Sequence, residues 1–171
     1  MDATALRALQ APLKDKYRET PNDAVITLRA QGTLDDQHIA CKVETGRALA
    51  VAGLHPATGG SGAELCSGDM LLEALVACAG VTLKAVATAL EIPLRSGTVK
   101  AEGDLDFRGT LGVDKTAPVG FKTIRLAFEV DTDAPQDKVD QLLKLTERYC
   151  VVFQTLNNKS DLSVGVKRAR A

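Results

Sequence analysis

Apolar residues recur at helical spacing through the middle of the chain, in a segment that predicts one long helix over residues 67–92. Either Ser67 or Asp69 could cap its first turn, and Pro93 should end it. The segment is preceded by residues 56–62, which are too rich in glycine to hold regular structure and predict a flexible loop. One face of the predicted helix carries Leu71, Leu75, Cys78, Thr82 and Ala85.

Two further segments have helical spacing. Asp133 and Gln136 are spaced as a capping box and predict the start of a second helix, with Cys150 at or just past its last turn. Near the N-terminus, residues 4–18 predict a short helical arm, which Pro12 should bend or break.

Alternation of apolar and polar residues predicts strands over residues 98–107 and 121–130. Residues 25–30 and 38–43 alternate likewise and predict a hairpin, which residues 48–52 could extend into a meander. Gly32 and the pair Asp35-Asp36 supply turn residues between the two arms of the hairpin, and Leu162, Val164 and Val166 predict a closing strand.

The predicted order is βββ-α-ββ-α-β, in which helices are segregated from a largely antiparallel sheet, so the expected fold class is α+β. With 171 residues, 45% of them hydrophobic, the chain is long enough to bury one core and too short to argue for two. We therefore expect an N-terminal arm over residues 1–23 and a single domain over residues 24–171.

The net charge limits the possible binding partners of the protein, and the N-terminal residues and the apolar run bear on its location. The formal net charge is -1, so no basic patch predicts binding to nucleic acid or to an anionic membrane surface. The N-terminus lacks the pattern of a signal peptide, which predicts a cytoplasmic protein. The most apolar run, residues 74–83 between Glu73 and Lys84, is shorter than the roughly 20 residues of a membrane span and predicts a buried helix.

Four cysteines in a reducing cytosol make redox chemistry more plausible than structural disulfides. No pair of cysteines forms a C-x-x-C motif, and His38 and His55 are the only histidines, so the sequence gives poor support to a structural zinc site.

Each cysteine has a structural and a chemical interpretation. The alternation around Cys41 favours a core position, and Cys66 lies in a glycine-rich region with no obvious base or cation. Cys78 is surrounded by small residues, which suit either tight helix packing or the approach of a substrate. The pattern alone does not decide between these two interpretations. Cys150 lies at the predicted end of a helix, close to Arg148. The guanidinium would stabilise a thiolate, but the C-terminal end of a helix disfavours one, so Cys150 suits the role of a resolving thiol better than that of an attacking thiol.

Two segments resemble the motifs of the OsmC/Ohr superfamily. The segment SGDMLLEALVACAGVTL, residues 67–83, is similar to the central helix that bears the first reactive cysteine of that superfamily. The segment ERYCVVFQTL, residues 147–156, resembles the second cysteine motif, and the separation of 72 positions from Cys78 to Cys150 fits the family spacing. The resemblance covers about residues 24–168.

The resemblance implies an intertwined homodimer, with sheets wrapped around the central helices, that reduces organic hydroperoxides or hydrogen peroxide. Carried over, Cys78 is the peroxidatic thiol, which is oxidised to sulfenic acid, and Cys150 is the resolving thiol, which forms a disulfide with it. An external dithiol then restores the pair, and no metal or prosthetic group is required.

Family members activate the first cysteine with an arginine held by a carboxylate. Here the resemblance implies Asp69 as the carboxylate and Arg47 as the arginine, with Arg29 as second choice, while a solvated charge is an equally good interpretation of Arg47. The chain departs from the family pattern at Gly68, Val151 and Gln154.

Those departures motivate a second hypothesis, in which a dimeric binding or stress-associated module keeps the fold and an apolar pocket but has little peroxidase turnover. A third is a thiol hydrolase that uses Cys78, although the sequence places neither histidine to serve as its base.

Overall fold

The computed structural model describes residues 3–34, 41–43, 52–63 and 65–166. Its helices and strands form an α+β fold, which confirms the predicted class, around a four-stranded antiparallel sheet whose strands lie in the order 41–43, 25–34, 96–106 and 121–131. The elements are α1 (Ala3–Glu19), β1 (Val25–Leu34), β2 (Cys41–Val43), β3 (Ala52–Gly53), β4 (Leu65–Cys66), α2 (Ser67–Ala89), β5 (Ser96–Asp106), α3 (Phe107–Thr110), β6 (Phe121–Asp131), α4 (Gln136–Tyr149) and α5 (Val151–Asn157).

The two strands after the central helix were predicted correctly and form the best-defined part of the sheet. β5 pairs with β6 from Ser96↔Asp131 onward, and on its other side it pairs with β1. Val99 and Ala101 of β5 are fully buried and belong to the cluster that packs against α2. Alternation thus directs one face of the sheet onto the central helix, as period-two patterning requires.

The central helix α2 begins at Ser67, as predicted, but its capping differs. The residue before the helix is Cys66, whose side chain makes no capping hydrogen bond, so neither Ser67 nor Asp69 is the cap. The helix ends at Ala89, and Glu91 just beyond it has a positive φ of 55° that breaks the helical path. Its buried residues are Leu72, Leu75, Val76, Ala79, Gly80, Leu83 and Ala87.

By length and composition alone, α2 could cross a membrane, since its 23 residues contain an 18-residue window of mean hydropathy 1.8. The apolar run of residues 74–83 is only part of this helix, because Glu73 and Lys84 interrupt the run without ending the helix. In the fold, 44% of that stretch is buried, and a helix in the core of a protein can have the same length and composition. The helix packs against β1, β5, α4 and α5.

The N-terminal half departs from prediction in its strands. β1 continues through Gly32 to Leu34, because β5 is long enough to pair with it there, so Gly32 is not in a turn. Ala52 does not extend an antiparallel hairpin but lies in β3, which pairs in parallel with the unpredicted two-residue strand β4. Residues 35–40 and 44–51, and with them His38, lie outside the described residues.

The N-terminal arm is helical, as predicted, but Pro12 does not end it, and α1 continues to Glu19. Its second half is held in place by Tyr17, which is buried and donates a hydrogen bond from its hydroxyl to the Ala57 carbonyl at 2.8 Å. This packing supports the helical turns that follow the proline.

The C-terminal half differs from the sequence prediction in its helix caps and in its last strand. No capping box forms, since Asp133 binds the Arg95 guanidinium and the residue before α4 is Pro135, which has no side-chain cap. After α4 the chain makes a separate short helix, α5, which was not predicted.

The predicted closing strand is absent from the described residues. Residues 159–166 have no regular structure, and Leu162, Val164 and Val166 are 92%, 101% and 90% exposed. Alternating apolar residues form a strand only when a neighbouring strand supplies backbone partners, and in a single copy of the chain this segment pairs with none of the described strands.

A stability prediction follows from the packing of α4 on α2. Leu142 of α4 is 0% exposed and lies in a cluster with Leu83 and Ala87 of α2, so Leu142→Ala is expected to lower the free energy of unfolding by about 2 to 4 kcal/mol, measured by urea denaturation. Val119→Ala, at a loop position 71% exposed, is the control and should change it by less than about 0.5 kcal/mol. Equal losses in both variants would contradict this packing.

Candidate active site

The thiol of Cys78 lies where α2 meets the junction of α4 and α5. It is half-buried, and the backbone N–H groups of Val151 and Val152 and the hydroxyl of Thr82 lie near enough to favour its ionised form. The thiol of Cys150 lies beside it and affects its acidity. The structure therefore brings the two cysteines singled out in the sequence into direct side-chain contact.

The junction at Cys150 explains how the backbone donors reach this sulfur. Cys150 has extended backbone angles, φ -71° and ψ 105°, which end α4 and allow α5 to begin in a new direction. The first N–H groups of a helix have no partner within the helix, and here those of Val151 and Val152 point to Cys78. The N–H of Phe153 donates to the Cys150 sulfur at 3.4 Å.

The two thiols have opposite shifts in acidity. Burial raises the pKa of Cys78, but the hydrogen bonds from Val152, Cys150, Val151 and Thr82 outweigh it, so the pKa of Cys78 is lower than that of an ordinary thiol. Cys150 is 1% exposed, and burial together with the neighbouring Cys78 raises its pKa to about 11. Cys78 is consequently the thiol that ionises first, and Cys150 stays protonated beside it.

An open groove of about 280 Å³ is lined by residues close in sequence to the two cysteines. It includes Leu75, which lies one helical turn before Cys78, and Phe153, which follows Cys150. Its other lining residues are Phe121, Lys122, Thr123, Ile124, Leu126, Leu156 and Asn157. The groove is mainly apolar, with polar groups from Lys122, Thr123 and Asn157.

Asp69 lies at the start of α2, nine residues before Cys78, which is about 13 Å along the helix axis. At that distance its carboxylate cannot contact the Cys78 sulfur. Burial raises the pKa of Asp69, while the adjacent His55 opposes that rise; burial lowers the pKa of His55, and Asp69 opposes that fall. The described partner of Asp69 is therefore a histidine, and its proposed role through an arginine stays a prediction.

His55 was given no role from the sequence, but it is well held in the structure. Its ring stacks on Phe107 with centroids 5.0 Å apart, and its Nδ1 accepts a hydrogen bond from the N–H of Ala57 at 3.0 Å. His55 and Cys66 also line a second cavity of about 370 Å³, away from the Cys78 sulfur. Cys78 does not line the cavity that His55 lines, so the described contacts do not support His55 as a base for Cys78.

The arginines proposed from the family resemblance remain untested. Arg47 lies outside the described residues, and of Arg29 only the backbone is described, in β1 opposite Glu102. The same holds for Cys41 in β2. Over the part of the chain that the structure describes, no group of three or more His, Cys, Asp or Glu side chains could hold a metal ion.

Sequence reasoning missed the groups that surround the Cys78 sulfur. Thr82 had a usable signal, since residues four apart on a helix lie on the same face. The N–H groups of Val151 and Val152 had none, because every residue except proline has an N–H and only the fold decides where it points.

Comparisons with known proteins agree with this architecture. The family model described as OsmC-like protein matches residues 60–165. A search of curated proteins finds no significant match. Among solved structures, an OsmC-like hydroperoxide resistance protein from Jannaschia sp. CCS1 is similar in fold, with a TM-score of 0.61 and 16% sequence identity over 86% of this chain and 97% of that chain.

Proposed function

Because the chain belongs to the OsmC-like protein family, we propose that it is a thiol-dependent peroxidase that reduces organic hydroperoxides or hydrogen peroxide. The observation that carries the proposal is the contact between Cys78 and Cys150, in which one thiol has a lowered pKa and the other a raised one. The hydroperoxide resistance named for the Jannaschia protein supports the same class of substrate.

In the first step the Cys78 thiolate attacks the terminal oxygen of the hydroperoxide. The S–O bond forms while the O–O bond breaks, so Cys78 becomes a sulfenic acid and the substrate leaves as an alkoxide, which takes up a proton to give the alcohol. The hydrogen bonds to the sulfur from Val151, Val152 and Thr82 favour the thiolate that this step requires.

In the second step Cys150 attacks the sulfur of the sulfenic acid, a disulfide forms and water leaves. Before oxidation the charge on Cys78 is one cause of the high pKa of Cys150. A sulfenic acid carries no such charge, so oxidation of Cys78 removes that cause, while the N–H of Phe153 still favours the Cys150 thiolate. Burial still raises the pKa of Cys150 after its partner has reacted, but the opposing charge on Cys78 is gone.

The remaining parts of the proposal concern the surroundings of the pair. The apolar groove beside Leu75 and Phe153 offers room for the organic part of a hydroperoxide. In this proposal Arg47, positioned by Asp69, supplies an additional cation that favours the Cys78 thiolate. A dithiol reductant closes the cycle by exchange with the disulfide between Cys78 and Cys150.

Disulfide mapping tests the proposal. The reduced protein is treated with one equivalent of cumene hydroperoxide, alkylated and digested, and a peptide pair joining Cys78 to Cys150 is expected by mass spectrometry, together with one equivalent of cumyl alcohol. Untreated protein is the control. Absence of that linkage while peroxide is consumed would overturn the proposed pair, and slow consumption with saturable binding of an apolar ligand would favour the binding-module hypothesis instead.

We also propose that the chain acts as a homodimer. The family resemblance implies it, and the exposed alternating residues Leu162, Val164 and Val166 are consistent with a strand that finds its partner in a second copy. Light scattering coupled to gel filtration is expected to give about twice the 18.1 kDa of one chain, and a monomer at micromolar concentration would refute this.

A further inference from the structure

We propose that the cavity of about 370 Å³ lined by His55 and Cys66 is a second binding site, which takes an uncharged apolar molecule with one hydrogen-bond acceptor such as a carbonyl oxygen. The cavity lies between the turn that contains His55, the start of α2, and the ends of β5 and β6 with α3. The proposal goes beyond the peroxidase reaction and does not rest on it, because neither Cys78 nor Cys150 lines this cavity.

The walls of this cavity are mainly apolar and come from segments that are distant in sequence. The large apolar residues that line it are Leu54, Leu71, Leu105, Phe107 and Phe121. Leu54 and Leu71 keep 43% and 38% of their surface exposed. Apolar surface left open to water in a concave site is stabilised when an apolar molecule covers it, so the walls favour a ligand with a largely hydrocarbon body.

His55 supplies the polar group of the site, and its ring is held in one orientation. Its Nδ1 accepts a hydrogen bond from the N–H of Ala57 at 3.0 Å, and the ring stacks on Phe107 with centroids 5.0 Å apart. The hydroxyl of Thr58 donates to the His55 carbonyl at 2.9 Å. The hydroxyl of Tyr17, from the N-terminal arm, donates to the Ala57 carbonyl at 2.8 Å. The ring is therefore positioned before a ligand arrives, which reduces the ordering cost of binding.

The hydrogen bond to Nδ1 also determines where the ring proton of His55 lies. A neutral imidazole has one acceptor nitrogen and one donor nitrogen, so a ring whose Nδ1 accepts carries its proton on Nε2. Burial lowers the pKa of His55, which favours this neutral form near pH 7. Among the described residues none accepts a hydrogen bond from Nε2, and Asp69 acts on the ring through its charge. The acceptor of a ligand would complete the hydrogen bonding of this donor.

The charges around the cavity favour an uncharged ligand over an anion. Asp69, in the first turn of α2, is close enough to His55 to alter its pKa, and its negative charge would repel that of an anion. The described residues that line the cavity include no lysine or arginine to offset this repulsion. Two of the hydroxyls in the lining, those of Ser67 and Thr110, belong to exposed residues that water can reach.

The test compares three probes of similar shape in equilibrium dialysis against the reduced full-length protein. Benzophenone has two apolar rings around one carbonyl, diphenylmethane lacks the carbonyl, and diphenylacetate carries a negative charge. We expect one saturable site per chain for benzophenone, and binding about tenfold weaker for each of the other two. Illuminated benzophenone reacts with nearby C–H bonds, so the crosslinked peptides identified by mass spectrometry should be those that line the cavity.

Two pairs of proteins separate the cavity from other apolar surface. Leu71→Ala is expected to weaken the binding of benzophenone about tenfold, whereas Val81→Ala should stay within about twofold of the native protein. Both residues lie on α2 and are 38% exposed, but only Leu71 lines the cavity. His55→Asn keeps an oxygen that can cap the N–H of Ala57 and removes the ring donor, so it should reduce the affinity for benzophenone to that for diphenylmethane. Thermal unfolding confirms the fold of each variant.

Absence of saturable benzophenone binding, or crosslinks confined to peptides outside the cavity, would overturn the proposal. Equal affinities of the native protein for benzophenone and diphenylmethane would also overturn it, since the site would then select apolar surface alone. Tighter binding of diphenylacetate would reject the preference for an uncharged ligand. None of these measurements uses a hydroperoxide, so the second site can be upheld in a protein that proves to have no peroxidase activity.

Discussion

Replacement of Cys78 by serine is expected to lower the rate of hydroperoxide consumption by about a thousandfold or more. A serine hydroxyl is not ionised at neutral pH, and its oxygen cannot pass through the sulfenic acid and disulfide of the proposed cycle. The same hydrogen-bond donors would surround the serine oxygen without converting it to a competent nucleophile. The measurement is the initial rate of cumene hydroperoxide loss with excess dithiothreitol as reductant.

Cys66→Ser is the matched control for this variant. Cys66 is also half-buried and packs at the edge of the same hydrophobic cluster, but it lies in β4 and lines the second cavity rather than contacting Cys150. Its replacement is expected to leave the rate within about twofold of the native value. If Cys78→Ser kept most of the activity while Cys66→Ser lost it, the peroxidatic thiol would have to be reassigned.

Replacement of Cys150 by serine is expected to separate the two steps of the reaction. The variant should consume about one equivalent of hydroperoxide and then stop, because the sulfenic acid on Cys78 has no second thiol with which to condense. Steady-state turnover is expected to fall about a hundredfold or more. The sulfenic acid should be detected as a dimedone adduct of the Cys78 peptide, which the native protein forms only in small amounts.

Two outcomes would count against a resolving role for Cys150. Turnover of Cys150→Ser at the native rate would mean that the external dithiol reduces the sulfenic acid directly. Failure to consume even the first equivalent would mean that Cys150 is required for the attack itself, beyond the hydrogen bond that it shares with the Cys78 sulfur.

The elements predicted best from the sequence are those whose pattern is long and whose burial is one-sided. Twenty-three residues of α2 and eleven each of β5 and β6 have enough periodic positions to identify their type. Short elements such as β4 and α5 have too few residues for a period to be visible. Their formation depends on a neighbour, which for β4 is β3 in parallel pairing.

Three local predictions failed because the tertiary structure decides which partners a residue finds. Asp133 has the spacing of a capping residue, but Arg95, the residue before β5, binds its carboxylate instead. Gly32 has the chemistry of a turn, but β5 offers it a backbone partner and it stays in a strand. The segment at Leu162 has the alternation of a strand, but no described strand pairs with it within one copy of the chain.

By itself the sequence determined the α+β class and the central helix, and it singled out Cys78 and Cys150, because periodicity and motif spacing can be read from the chain. Only the tertiary structure decided what surrounds the sulfur of Cys78. The break at Cys150 aims the N–H groups of Val151 and Val152 at that sulfur, and packing places Cys150 against it and buries the second thiol. Backbone donors carry no residue-specific signal, and burial depends on elements distant in sequence, so the acidity of the pair follows from the fold.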